Sequence, residues 1–162
     1  MKILVTGNAG SGKSTVSKIL EDKLTTPRYN LDPITWDAGW KKAPRDVRNK
    51  KIDQIVSKSE WIIDGVSPQS LESSDKIVFL DYPRRVCYWR AGKRSLRYLF
   101  KTRPELPKGS PEILIVRRLA LIIWRFPKLV VPNILAQKEK RTPNEFIHIH
   151  NNAELKDFLD SL

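Results

Sequence analysis

The sequence reads Gly7-Asn8-Ala9-Gly10-Ser11-Gly12-Lys13-Ser14 directly after the apolar run Ile3-Leu4-Val5. Apolar residues then recur at helical spacing, namely Val16, Ile19, Leu20 and Leu24. This order predicts a strand, a glycine-rich loop and a helix. The pattern G-x-x-x-x-G-K-S in that context is typical of a phosphate-binding P-loop, and an ordinary helix-capping turn is the alternative.

Each part of this loop has a chemical role in holding a triphosphate. Its glycines allow successive N–H groups to turn toward phosphate oxygens, and the helix that begins near Lys13 adds the positive end of its dipole. We expect Lys13 to reach the β and γ phosphates, Ser14 to bind Mg²⁺ and Thr15 to bond an α-phosphate oxygen. The predicted cofactors are ATP and Mg²⁺. The predicted cofactor-binding residues are Gly7, Asn8, Ala9, Gly10, Ser11, Gly12, Lys13, Ser14 and Thr15.

The composition predicts a single globular domain over residues 1–162, since hydrophobic residues make up 40% of the chain and charged residues 30%. The single cysteine, Cys87, excludes internal disulfides and a four-thiolate metal site. The N-terminus runs straight into the nucleotide strand, so we expect no signal peptide. The longest apolar tract, 113–124, is shorter than the roughly 20 residues of a membrane helix. We therefore expect a cytoplasmic protein without membrane insertion, and a monomer.

The net charge of +12 is concentrated in one segment. Residues 84–141 hold 16 Lys and Arg against three acidic residues, whereas the rest of the chain is nearly neutral. Such a segment can bind the phosphates of a nucleotide, a nucleic acid or an anionic membrane surface. A solvated face would normally mix both signs of charge. Residues 84–141 are therefore the candidate surface for a nucleic-acid partner.

Four further apolar runs predict strands, and three of them end in or beside an acid. These runs are Tyr29–Asp32, Trp61–Gly65, Lys76–Asp81 and Phe146–His150. Because helical patterns separate most of the runs, we predict an α/β fold with a parallel sheet covered on both faces. Ligands of such sheets gather at the carboxyl ends of the strands. Asp32, Asp64 and Asp81 are therefore expected on the same rim as the P-loop.

A long helix is predicted from Arg84 to Lys101, with Arg90, Arg94, Arg97 and Lys101 on one face. Like charges stacked in this way repel, so an anion opposite them is the favoured explanation. The proline-rich residues 101–111 are predicted to form a short lid before the next helix, 112–126. Further helices are predicted near 134–140 and over 153–162, and 33–44 is predicted as a loop that carries Trp36.

Two histidines, His148 and His150, alternate with Ile147 and Ile149 on the last predicted strand. No third metal ligand and no nucleophile is visible at a suitable spacing. We therefore assign the two histidines no role from the sequence.

With these elements in order, the chain resembles a small P-loop kinase of the adenylate-kinase-like class, and more narrowly the bacterial DNA topology modulation proteins. The resemblance rests on GNAGSGKST at 7–15, Leu31-Asp32, Trp36, Gly39-Trp40, WIIDG at 61–65, FLDYP at 79–83, Trp89-Arg90, Arg94, Arg97, TRP at 102–104 and WRFP at 124–127. It implies a three-layer P-loop NTPase fold with a five-stranded parallel sheet in the order 2-3-1-4-5 and a short helical lid. It also implies an acceptor over Asp32 and Asp64.

The resemblance further implies roles for single residues. Arg90 and Arg94 have the spacing that in this class places one guanidinium over the adenine and another against the transferring phosphate. The family usually continues Asp-Gly with Asn-Tyr-Ser, whereas Val66-Ser67 follows Gly65 here. Adenylate kinases proper carry an arginine shortly after this region, but none lies between Arg48 and Arg84, which disfavours AMP as the acceptor.

These arguments give three sets of site residues. The predicted catalytic residues are Lys13, Arg90, Arg94 and Asp64. The predicted acceptor-binding residues are Asp32, Trp36, Asp64, Gly65, Arg97 and Arg103. The predicted metal ligands are Ser14 and Asp81. Turn formation or helix capping is the alternative role for Asp32 and Asp64, and Asp81 either joins the Mg²⁺ shell or only begins the next helix.

The favoured function is an ATP-binding phosphotransferase that moves the γ-phosphoryl group of ATP to an unidentified small acceptor. A nucleic-acid-associated NTPase or regulator is the first alternative, suggested by residues 84–141 and by the family resemblance, although the sequence has no helix-turn-helix or zinc-finger pattern. A P-loop protein that binds nucleotide without turnover is the second alternative.

Overall fold

The computed structural model describes residues 1–37, 41–97 and 116–162. Its elements in chain order are β1 (Lys2–Gly7), α1 (Lys13–Leu24), β2 (Arg28–Asn30), α2 (Asp32–Thr35), β3 (Trp36–Asp37), β4 (Lys41–Lys42), α3 (Arg45–Val56), β5 (Trp61–Asp64), α4 (Pro68–Ser73), β6 (Lys76–Leu80), α5 (Arg84–Arg97), α6 (Val116–Leu129), α7 (Val131–Lys138), β7 (Phe146–Ile149) and α8 (Asn152–Asp160).

Five strands form one parallel sheet in the spatial order β2-β5-β1-β6-β7. Counted among these five strands alone, the order is 2-3-1-4-5, so the predicted topology is confirmed. Strand β1 is central, because Val5 lies opposite Asp64 of β5 on one side and opposite Val78 of β6 on the other. The end of β1 therefore opens the P-loop at the middle of the sheet.

The strands bury side chains on both faces of the sheet, so helices must cover both. Ile3 and Val5 of β1 pack in one cluster with side chains from α1, α5 and α6, while Leu4 packs in a second cluster with side chains from α3, α4 and α7. Trp61 and Phe79, the largest fully buried side chains, belong to the second cluster. The predicted three-layer arrangement is confirmed.

The segment after β2 differs from the prediction. Strand β2 ends at Asn30, and Asp32 opens the short helix α2 instead of closing the strand. Pro33 has a φ angle suited to the first turn of a helix, which favours this earlier change of direction. Strands β3 and β4 pair as an antiparallel hairpin within the predicted loop 33–44.

Helix α4 was also not predicted. Ser67 caps it, because the Ser67 hydroxyl accepts from the backbone N–H of Ser70 while the Ser70 hydroxyl bonds the backbone N–H of Ser67. Pro68 occupies the first turn, where its missing N–H has no cost. The sequence signal was therefore a capping box in its serine form, Ser-Pro-Gln-Ser.

The predicted lid, 101–111, and the ends of its flanking helices lie outside the described residues. Helix α6 continues past the predicted end at Phe126 to Leu129, with Pro127 inside it, and α7 lies a few residues before the predicted position. The other predicted boundaries agree with the structure to within two residues.

Helices α6 and α7 together give an apolar run of 23 residues, Val116–Lys138. By length and composition alone this run could cross a membrane, and 17% of its most apolar window is buried. The sequence argument considered the tract 113–124 only, and the helical stretch that contains it is longer. Ile123, Phe126 and Ile134 of this run pack into the two clusters that cover the sheet.

Candidate active site

The loop between β1 and α1 depends on glycine at two positions. Gly10 has φ +80° and Gly12 has φ +102°, which is the left-handed region where side chains are strained. A Cβ atom on Gly10 would lie 2.4 Å from the carbonyl oxygen of Cys87, so the loop sits directly on the backbone of α5. Glycine is therefore needed at Gly10 for both its backbone angle and its lack of volume.

Asn8 connects this loop to the rest of the fold. Its buried side chain accepts from the backbone N–H of Ala9 at 2.8 Å and donates to the carbonyl of Ile123 in α6 at 2.9 Å. Its carbonyl oxygen accepts from the backbone N–H of Ser11 at 3.1 Å. Asn8, whose identity the motif does not specify, thus stabilises the loop through three hydrogen bonds.

The ammonium group of Lys13 lies against the same loop. Its Nζ donates to the carbonyl oxygen of Asn8 at 2.9 Å. Burial lowers the pKa of Lys13, and the negative charges of Asp64 and Asp32 oppose that change. The lysine is therefore held close to the loop and in the field of two carboxylates from other elements.

Two arginines of α5, Arg90 and Arg94, interact with the P-loop or with Lys13. The Nη1 atom of Arg90 donates to the carbonyl of Ser11 at 3.1 Å, and its Nη2 donates to Oδ1 of Asn152 at 2.9 Å. The guanidinium of Arg90 also stacks on the ring of Tyr82, 4.5 Å from its centroid. The charge of Arg94 contributes to lowering the pKa of Lys13. The structure thus brings Arg90 to the loop, and the charge of Arg94 acts on Lys13.

Asp64 ends β5 beside the loop and is only 3% exposed. Burial raises the pKa of this carboxyl, while the charge of Lys13 and a hydrogen-bonding interaction with the Ser14 side chain oppose the rise. Its Oδ2 atom lies 3.8 Å from Nη1 of Arg28. Within the described ranges this oxygen has no hydrogen-bond partner.

Asp81 lies elsewhere on the sheet edge. Its Oδ2 atom is 3.0 Å from Nε2 of His148, and its backbone N–H donates to the carbonyl of Ile149 at 2.7 Å. The predicted metal pair of Ser14 and Asp81 stays a prediction, and the carboxylate whose pKa the Ser14 side chain affects belongs to Asp64. Asp81 follows Leu80, which lies opposite Gly7 of β1 and Ile149 of β7, so Asp81 lies on the other side of β1 from Asp64.

The remaining predicted acceptor residues lie on the β2–β5 side. Asp32 is exposed at the start of α2, and its charge acts on both Lys13 and Asp64. Gly65 follows Asp64 with φ +143°, and a Cβ atom there would lie 2.9 Å from Cβ of Leu31. Trp36 begins β3 and Arg97 ends α5. Arg103 lies outside the described residues.

Sequence reasoning missed two arginines on this side, Arg28 and Arg48. Arg28 Nη1 and Arg48 Nε are buried and have no hydrogen-bond partner in the part of the chain that the structure describes. Arg48 lies one helical turn before Ile52, which packs with Leu31 in the second cluster. Both residues read as surface arginines in the sequence, because nothing in their local spacing distinguishes them.

No family model and no curated protein matches the chain. Solved structures do match it. A shikimate kinase from Bacteroides thetaiotaomicron is 19% identical with a TM-score of 0.57, and the match covers 99% of this chain and 95% of that one. A shikimate kinase from Acinetobacter baumannii in complex with shikimate is 15% identical with a TM-score of 0.63, covering 99% and 89%.

The fold is that of these two shikimate kinases. At these identities the likeness shows the fold alone. The narrower resemblance to DNA topology modulation proteins gains no support from the comparisons.

The P-loop motif predicts ATP and Mg²⁺ as cofactors, so the donors at the loop can be tested against that ion. Mg²⁺ prefers hard oxygen ligands such as hydroxyl and carboxylate groups. Ser14 and Asp64 offer both, and the buried Asp64 Oδ2 has no hydrogen-bond partner among residues 1–37, 41–97 and 116–162. The residues present therefore fit a magnesium ion at this position.

Proposed function

We propose that this chain is an ATP-dependent phosphotransferase that transfers the γ-phosphoryl group of ATP to a hydroxyl group of a small acceptor. One observation carries the proposal. Lys13 and Arg90, from different elements, both donate to carbonyls of the same P-loop, those of Asn8 and Ser11. Two cations thus flank the loop that binds phosphate in this fold.

The proposed roles follow from this placement. The backbone amides of the P-loop and Lys13 hold the β and γ phosphates, while Arg90 and Arg94 stabilise the charge that spreads over the transferring phosphoryl group. Ser14 and Asp64 hold Mg²⁺, which neutralises phosphate charge when it is bound. Asp32 lies on the exposed side and orients the acceptor hydroxyl by accepting its hydrogen bond.

The polar groups near Asp32 and β2 indicate which chemical class of acceptor would bind. Arg28 and Arg48 offer buried guanidinium N–H groups, which suit a carboxylate or phosphate on the acceptor. Asp32 suits a hydroxyl group. We therefore infer a small hydroxylated acid as the acceptor. Shikimate, the ligand of the Acinetobacter baumannii kinase, is a hydroxylated carboxylic acid of this kind.

A thermal-shift screen tests both halves of the proposal. The purified chain is incubated with Mg²⁺ and a nonhydrolysable ATP analogue, and hydroxylated acids, nucleosides, nucleotides and sugars are then added singly. We expect the analogue to raise Tm, and a hydroxylated acid to raise it further only when the analogue is present. ADP release with that acceptor then measures turnover.

Lys13→Ala should lower turnover about 10²–10³-fold, as expected when one donor to the transition-state charge is lost. Lys18→Ala on the exposed face of the same helix is the matched control and should retain activity. Full ATP turnover in Lys13→Ala would overturn the assignment. A stabilising acceptor without any ADP release would favour the nucleotide-binding protein without turnover.

The nucleic-acid alternative rests on residues 84–141, whose arginines are partly engaged within the fold. Arg90 binds the P-loop, Arg84 stacks on Trp124, and Arg141 donates to the carbonyls of Leu71 and Ser74. Binding to duplex or single-stranded DNA through phosphates would weaken steeply as salt increases. Feeble binding even at low salt would exclude this alternative.

A further inference from the structure

A second group of ligand atoms lies at the β6–β7 end of the sheet edge. Asp81, His148 and His150 each offer one ligand atom, and these atoms all lie within 4.8 Å of one another. Asp81 Oδ2 is 3.0 Å from His148 Nε2, and the two imidazole rings have centroids 4.1 Å apart. The chain has only these two histidines, and both belong to this group.

Strand pairing explains why the three side chains meet. Phe79 of β6 lies opposite His148 of β7, so Asp81 and His150, each two residues further on, lie on the same face. His148 stacks on Phe79 with centroids 4.9 Å apart, which fixes its ring against the sheet. The third ligand is thus Asp81. It could not be recognised from sequence spacing, because 67 or more positions separate it from the histidines.

We propose that Asp81, His148 and His150 bind a divalent transition-metal ion, with Zn²⁺ as the best fit. Two imidazoles and one carboxylate are a common ligand set for zinc, and tetrahedral zinc with bonds of about 2.0–2.2 Å places its ligand atoms about 3.3 Å apart. The 3.0 Å pair is close to that spacing, and the exposed His150, whose ligand atom lies within 4.8 Å of the others, needs only a side-chain rotation to complete it. The fourth position stays open to water or to a donor atom of a ligand.

The carboxylate of Glu154 orients His150, one of the three proposed metal ligands. Glu154 Oε2 lies 3.1 Å from Nδ1 of His150 and accepts from the backbone N–H of His150 at 2.7 Å. The Asn151 side chain donates to the other oxygen of Glu154 at 2.6 Å. Carboxylates commonly orient metal-binding imidazoles in this way, and here the arrangement leaves Nε2 of His150 for the metal.

This site is distinct from the proposed magnesium site in position and chemistry. Imidazole nitrogens favour zinc-like ions, whereas Mg²⁺ takes oxygen ligands, so excess Mg²⁺ should not displace the bound ion. The site also lies next to the residues that position the Arg90 guanidinium. Asn152 Oδ1 accepts from both Arg90 Nη2 and the hydroxyl of Tyr82, the residue after Asp81. If the proposed function holds, metal binding should therefore also change ATP affinity.

The direct test is a titration of the untagged chain with Zn²⁺ in the presence of excess Mg²⁺, followed by calorimetry. Co²⁺ serves as a visible probe, because its absorption spectrum reports nitrogen ligation and tetrahedral geometry. We expect one equivalent to bind, with Zn²⁺ raising Tm. His148→Ala and His150→Ala should weaken binding at least tenfold, and Glu154→Gln about 10-fold.

Three variants serve as controls. Asp157→Asn, an exposed carboxylate on the same helix as Glu154, should bind Zn²⁺ like the wild type. Unchanged Zn²⁺ binding by Cys87→Ser would exclude the thiol as a zinc ligand. Unchanged Zn²⁺ binding by Asp64→Asn would exclude the proposed magnesium site as the place where zinc binds. Because His150 is exposed, His150→Ala should fold normally, which circular dichroism checks.

Absence of Zn²⁺ binding by the wild type, or equal binding by folded His150→Ala, would overturn the proposal. Loss of Zn²⁺ binding in Asp64→Asn with retention in His150→Ala would also overturn it. Neither result bears on the phosphotransferase proposal, which is read from nucleotide and acceptor binding.

Discussion

The two halves of the candidate active site differ in how their charged groups are satisfied. On the phosphate side, Lys13 and Arg90 each donate to a P-loop carbonyl. On the β2–β5 side, Arg28 Nη1 and Arg48 Nε are buried without a hydrogen-bond partner in the described parts of the chain, and Arg28 Nη1 lies 3.8 Å from Asp64 Oδ2. Such an atom costs about 1–3 kcal/mol while it stays unpaired. Both sides hold such atoms, since Ser11 Oγ of the P-loop is another, but the cations of the phosphate side are already bonded to the loop, whereas the two arginines of the β2–β5 side keep N–H groups for a ligand or solvent.

This difference has a functional meaning. A preformed phosphate cradle suits a nucleotide that is the same in every turnover, because its donors need not reorganise. Unpaired buried groups suit selection of the acceptor, because an acceptor that lacks the matching group leaves them unpaired. Variants on the two sides should therefore have different effects on nucleotide and acceptor binding.

Asp64→Asn should lower turnover by about 10²-fold or more, because it removes the carboxylate proposed to hold Mg²⁺ with Ser14. Asp81→Asn should retain turnover to within a few-fold, since its carboxylate contacts His148. Steady-state ADP release at several Mg²⁺ concentrations measures both variants. The opposite ranking would restore the sequence assignment of Asp81 to the magnesium shell and break the comparison.

Gly10→Ala should destabilise the fold by about 1–3 kcal/mol, the usual cost of a residue forced into an unfavourable backbone region. The added Cβ would also meet the carbonyl of Cys87 at 2.4 Å. Gly92→Ala on α5 is the matched control, because a Cβ there meets nothing within 4 Å. Chemical denaturation measures both, and equal stability of the two variants would contradict the rigid packing of the phosphate side.

Arg48→Met should raise the KM for the acceptor about tenfold, as expected for loss of one charge-assisted hydrogen bond. The KM for ATP and the free energy of unfolding should change little, because Arg48 Nε bonds no described residue. Arg45→Met, exposed on the same helix, is the control. An effect confined to ATP binding would place Arg48 on the phosphate side instead.

The pH dependence of Lys13 gives the smallest effect. Burial lowers its pKa from 10.5, so its positive charge is lost at a lower pH than that of an exposed lysine. ATP affinity should therefore fall as pH rises toward 10.5, and Lys13→Arg should reduce that slope. Stability should change in the opposite direction, because the unfolded chain binds more protons in this range and folding gains as pH rises. Titrations of ATP binding and of Tm across this range test both signs.

Much of the fold was predictable because its signals are local. The P-loop motif, the apolar runs of β1, β5 and β6, and the basic face of α5 are contiguous in the chain, and each depends on neighbours a few residues away. The strand order followed from the family resemblance. The prediction failed where signals were short, as at α2, where Asp32 opens a helix, and at α4, whose capping box uses serine.

The amino-acid sequence was enough to predict a phosphate-binding loop after the first strand, since the glycines of that motif set its backbone geometry. The grouping of Asp64 with Lys13, the burial of the Arg28 and Arg48 guanidinium atoms, and the contact of Asp81 with the two histidines are visible in the tertiary structure alone. These groupings depend on which strands pair and in what register. Parallel strands joined by helical crossovers bring together residues dozens of positions apart, and no local pattern records that distance.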